Sequence, residues 1–155
     1  MISFISAARA HFKLRFAEWA VGLGLLAWGV SLACAPGLFE SSYLFNGMLK
    51  LGSQTQWMWI AIIVATLRLT FLIINGTWRR SAHLRAIGSG LSALIWTAMW
   101  GSYLSLGAVI PALATLGILI ALDIYSLWYA TEDAAYSDVR TKEERFVREV
   151  KRRTL

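Results

Sequence analysis

Three ionisable residues, Glu18, Arg68 and Asp123, fall inside long apolar runs of this chain. A charged side chain at the centre of a membrane helix costs roughly 2.5–3.5 kcal/mol even on lenient insertion scales, so it faces a partner or water. Counted back from the ends of their runs, Arg68 lies ~12 Å deep, Asp123 ~10 Å and Glu18 ~5 Å, at 1.5 Å per residue. Arg68 and Asp123 sit on segments of the same direction at matching depth. That predicts an Arg68–Asp123 ion pair, with Glu18 as a second partner. Such a pair has two chemical readings. It fixes helix register and rotation, or, because two carboxylates against one guanidinium leave an extra acid, it forms an ion or proton site. A third outcome is that Arg68 or Glu18 snorkels to the surface.

Other residues suit packing or lipid contact. Ser89, Ala93, Thr97, Gly101 and Ser105 recur every four residues in the third run, a small-residue pattern that lets helix backbones approach closely in lipid. The first run adds Ala20-x-x-x-Gly24, and Gly22 with Gly29 seven residues on. Trp78, Arg79, Arg80 and Arg85 group an aromatic residue with three cations after Asn75-Gly76-Thr77. This set is expected to grip an anionic lipid headgroup or to anchor topology. One cysteine and two distant histidines offer no metal or redox pattern. With no Ser/His/Asp set at one depth and no nucleotide loop, neither an enzyme nor a cofactor is expected.

The elements that position these residues are four helical crossings, about 16–35, 56–75, 86–106 and 109–130. A membrane helix needs roughly 20 apolar residues, and each run meets that length. Pro36-Gly37 ends the first, Asn75-Gly76 the second, and Gly107 with Pro111 marks a tight turn before the fourth. Residues 3–15 read as a basic interfacial helix. The 36–55 connection, with Tyr43, Leu44, Phe45, Met48, Leu49 and Leu51, reads as a lipid-anchored loop or as a cap over a pore or groove. Trp19, Trp78 and Trp128 mark the inner boundary, Trp57 and Trp59 the outer one, and Trp28, Trp96 and Trp100 are expected to fill helix contacts.

The residues before 131 form the transmembrane domain, and residues 131–155 a charged tail helix. In that tail Asp138 to Lys142, Glu144 to Arg148 and Glu149 to Arg153 put the acid four residues ahead of the base, the favourable order on a helix.

The chain has 155 residues, is 57% hydrophobic and carries a formal charge of +6. In a soluble protein that charge would point to nucleic acid. Here the cations flank apolar spans and point to topology. Arg9, Lys13 and Arg15 precede the first run, Arg79, Arg80 and Arg85 follow the second, and seven Lys or Arg lie in the tail. The first connection has only Lys50 and the third none. Alternate connections are therefore basic, which predicts both termini inside. Ala33-Cys34-Ala35 imitates a signal cleavage site, but Glu18 interrupts the apolar stretch and Pro36 would follow the cut, so the segment is read as a retained anchor.

Glu18-Trp19, Arg68-Leu69, Ile74-Asn75-Gly76, Trp78-Arg79-Arg80-Ser81, Leu84-Arg85 and Asp123-x-Tyr125-Ser126 together resemble small four-helix membrane proteins of tailed phages and prophages. The resemblance covers roughly residues 9–135. It implies phage origin and a bacterial inner-membrane location, with no activity to carry over. The expectation is an all-α membrane four-helix bundle. Its function would be a non-enzymatic phage-type protein acting through oligomerisation or a membrane partner on the host envelope. Its partners would be lipid, further copies of itself or another membrane protein, and no nucleic acid. The alternatives are a holin-like pore or ion channel, and a small proton-coupled transporter.

Overall fold

The computed structural model describes residues 16–77, 82–107 and 111–153. The expected interfacial helix over 3–15 lies outside them, as do Trp78, Arg79 and Arg80. The described residues form helices and no strand. The helices are α1 (Phe16–Cys34), short α2 (Leu38–Ser41) and α3 (Asn46–Leu49) flanking a 3-10 turn (Tyr43–Phe45), then α4 (Gln54–Thr77), α5 (Ala82–Ser105) and α6 (Pro111–Arg153).

Three stretches are long and apolar enough to cross a membrane: Phe16–Cys34, Gln54–Ile74 and Pro111–Tyr136. Helix α5 has the length, at 24 residues, but its serines, glycines and Arg85 leave it less apolar. Gly37 and Gly107 turn the chain after α1 and α5 with φ of 77° and 65°, a region open to glycine because it lacks a Cβ. Pro111 opens α6, where its missing N–H leaves no hydrogen bond unmade. Helix α6 then continues unbroken for 43 residues, about 65 Å at 1.5 Å per residue.

Each long helix packs along the next, α1 on α4, α4 on α5 and α5 on α6, while α1 meets α6 over a shorter stretch. The buried faces repeat near every 3.5 residues. Glu18, Val21, Gly22, Leu25, Gly29 and Leu32 line α1, and Arg85, Gly88, Ser92, Ile95, Met99 and Ser102 line α5. That period keeps one seam facing a neighbour, as in left-handed bundles. Gly22 and Gly29 let α1 and α4 close up: a Cβ on Gly29 would come within 2.8 Å of Ile62 and 3.2 Å of Ala61.

The expected small-residue stripe on α5 does not form one contact line. Ser89 is buried and Ala93 half-buried, but Thr97, Gly101 and Ser105 are exposed. A four-residue step overshoots a helical turn by about 40°, so four such steps walk the stripe off the packed face. Likewise Gly24 has nothing within 4 Å of where its Cβ would be, and Ala20 is exposed. Trp100 is also exposed, whereas Trp96 is buried against Trp28 with ring centroids 6.0 Å apart.

The 36–53 connection is a cap on one end of the bundle. Phe39 and Met48 are fully buried, Phe39 stacks on Phe45 at 4.6 Å, and Phe45 meets Tyr103 of α5 edge-on. Gln54 ties the cap down. Its Nε2 donates to the carbonyls of Leu32 (2.9 Å) and Ala35 (2.7 Å), and its Oε1 accepts from the Phe39 N–H at 3.0 Å. The last carbonyls of α1 have no partner within their own helix, and this side chain, buried at the start of α4, supplies one.

Candidate functional site

The interior carries two layers of charge. In the layer nearer the capped end, Arg68 of α4 donates through Nη1 to Asp123 of α6, and Ser92 of α5 donates its hydroxyl to the other Asp123 oxygen at 2.6 Å. Arg68 is 3% exposed and Asp123 fully buried. In the second layer, Arg85 of α5 forks onto Glu18 of α1, with Nη2 at 2.7 Å and Nε at 3.3 Å, and its Nη1 reaches Asp133 of α6 at 2.9 Å. Glu18 and Arg85 are buried, whereas Asp133 stands 55% exposed.

The structure thus brings Arg68 and Asp123 together and gives Glu18 to a different cation. Arg85, expected at lipid headgroups, is instead a buried bridge between α1 and α6. Helix polarity explains the division. A Cα–Cβ bond tilts toward the N-terminus of its own helix, and α4 and α5 run in opposite directions through the bundle. Arg68 therefore leans toward the capped end. Gly88 of α5 lies against its Cα, Cβ and Cγ, yet its guanidinium joins the carboxylate held by Ser92, four residues, or about 6 Å, further along α5. Arg85 leans the other way, to the end where α1 begins. Neither arginine snorkels.

Two glycines make the slot for Arg68. A Cβ on Gly22 would sit 3.5 Å from its Cδ, and one on Gly88 would sit 3.4 Å from its Cα, Cβ and Cγ. No family model, curated protein or solved structure matches the chain. Its chemistry has to be read from its own side chains.

Two charged side chains, Arg68 and Asp123, and the neutral Ser92 hydroxyl hold the first layer through hydrogen bonds to an ionised group. Such bonds are shorter and stronger than neutral ones, and the low dielectric around them strengthens them further. Arg68 Nη2, Trp96 Nε1 and Ser102 Oγ are buried with no partner among the described residues. Ser89, Ser92, Trp96 and Ser102 give the buried face of α5 a line of polar groups from Arg85 to the cap. Taken over both layers, Glu18, Asp123 and Asp133 oppose Arg68 and Arg85, and the surplus carboxylate is the exposed Asp133. No group of three His, Cys, Asp or Glu side chains that could hold a metal ion occurs among the described residues.

Sequence reasoning missed Asp133, Ser92 and Gln54, and it gave Arg85 to lipid headgroups rather than to Glu18. The signal for Arg85 was present: Arg85, Ser89, Ser92 and Trp96 share one helical face at spacings of four, three and four.

Proposed function

We propose that the chain is a four-pass α-helical protein of a bacterial inner membrane, of phage type, with α5 as the third crossing and with the N-terminal end of α1 and the C-terminal end of α6 on the cytoplasmic side. Its role is non-enzymatic. It acts on the host envelope by presenting α6 to a membrane-associated partner or to further copies of itself.

The observation that supports this best is the length of α6. A hydrocarbon core is about 30 Å thick, and a 43-residue helix of about 65 Å is roughly twice that. Its apolar stretch ends at Tyr136, so the remainder stands clear of the lipid as an arm. The Arg85–Asp133 contact fixes the arm where it leaves the bundle. The cap favours a closed bundle over an open pore, since Phe39, Phe45 and Met48 close one end.

The test is site-specific photo-crosslinking in cells from positions 139, 146 and 150. The reading expects one discrete crosslinked species, a partner or a second copy. Crosslinks to nothing, together with a periplasmic location of position 146, would sink it. A second reading, a proton-coupled transporter or channel, draws on Arg68 Nη2, a buried donor without an acceptor among the described residues. A proton flux in vesicles that is lost in Asp123→Asn supports it over the first.

A further inference from the structure

An open groove of about 540 Å³ lies on the outside of the bundle beside the cap, lined by Leu51, Gly52, Thr55, Gln56, Trp57, Trp59 and Ile60. Its size falls within the roughly 300–1,000 Å³ of small-molecule sites. The groove is held open by its own hydrogen bonds. The Trp57 indole donates to the Met48 carbonyl at 3.1 Å, and Gln56 Oε1 accepts from the Ser53 N–H at 2.8 Å. Gly52 keeps the rim low: a Cβ there would meet Gln56 Oε1 at 3.0 Å and Trp57 Nε1 at 3.6 Å.

Along the α4 wall of the groove, polarity changes in one direction. Thr55 and Gln56 stand at the start of α4, toward the cap, and Trp59 and Ile60 lie about one turn deeper, 56% and 44% exposed. Exposed Lys50, outside the lining itself, immediately precedes the rim residue Leu51 in the chain, and it is the only basic residue between Arg15 and Arg68. Cation, then amide and hydroxyl, then indole and alkyl is the order of groups that complements a phosphate, a glycerol ester and an acyl chain.

We propose that this groove seats one phospholipid of the leaflet around the capped end, with its phosphate beside Lys50 and the head of one acyl chain against Trp59 and Ile60. The inference rests on the membrane reading above and goes beyond it, because a fixed seat differs from the fluid lipid that surrounds any membrane helix.

The test reconstitutes the full chain in vesicles of phosphatidylglycerol and phosphatidylethanolamine, extracts it gently and weighs it by native mass spectrometry. One phospholipid per chain should survive detergent exchange. Trp59→Ala should lower that retention about tenfold, the scale of losing one aromatic wall, and Leu94→Ala, at an exposed site on α5, should not. In vesicles doped with diacylglycerol, Lys50→Gln should weaken phospholipid retention and leave diacylglycerol unchanged. Equal retention in wild type, Trp59→Ala and Leu94→Ala, or none in wild type, overturns the seat and leaves the membrane reading intact. A chain that stays soluble without detergent overturns both.

Discussion

Arg68 and Arg85 enter the same interior from antiparallel helices and point in opposite directions along it, so each takes its own carboxylates. Arg68 goes to Asp123 and Arg85 to Glu18 and Asp133. One layer knits α4, α5 and α6. The other knits α1, α5 and α6, and it spans the seam between α1 and α6, which meet over a shorter stretch than consecutive long helices do.

Breaking the first layer from one side leaves a buried charge unpaired. Asp123→Asn and Arg68→Leu are each expected to destabilise the protein by about 3–5 kcal/mol, the usual cost of orphaning a buried ion. The double variant Arg68→Leu with Asp123→Leu should recover most of that loss. Thermal unfolding in detergent measures it, and strictly additive effects would show that the two residues do not act as a pair.

The second layer should respond unequally. Glu18→Gln removes a buried, two-pronged partner of Arg85 and is expected to cost about 1–3 kcal/mol. Asp133→Asn touches a partner that is half in solvent, so under about 1 kcal/mol is expected after screening. The ratio of the two midpoint shifts checks this, and equal shifts would contradict the difference in burial.

Glycine substitutions separate packed from open helix faces. Gly29→Ala drives a methyl to within 2.8 Å of Ile62, and overpacking of that kind costs typically about 1–3 kcal/mol. Gly24→Ala meets nothing within 4 Å and should be neutral or stabilising by up to about 1 kcal/mol, because alanine is the better helix former. Comparing the two melting curves decides the point.

Gln54→Leu keeps the side-chain volume of α4 and removes three hydrogen bonds at once. The cap should loosen before the bundle does. Limited proteolysis within 36–53 is expected to accelerate severalfold, while the stability falls by about 1–3 kcal/mol for the buried backbone groups left unpaired. Unchanged cleavage would mean that Phe39 and Met48 hold the cap without help from Gln54.

Residue counting alone supplies much of this protein. Apolar runs of the right length mark the long helices, and equal distances of Arg68 and Asp123 from their run ends put them at one depth, because helical rise is constant. Gly22 and Gly29, seven apart, stay on one face because seven residues fall within about 20° of two full turns. Sequence could not decide which face meets which helix. Ser89, Ala93, Thr97, Gly101 and Ser105 look like one stripe until drift around α5 carries the last three outward.

Whether the 36–55 connection lies as a lipid-anchored loop or as a cap was also beyond sequence, since Phe39 and Met48 become core only once the end of the bundle exists to receive them. The pairing of Glu18 with Arg85 depends on side-chain tilt in antiparallel helices. One-dimensional periodicity fixes where an element is and how deep a residue lies along it. Direction, rotation and partner belong to the assembled helices, because a buried charge settles on whichever counter-charge packing places within reach.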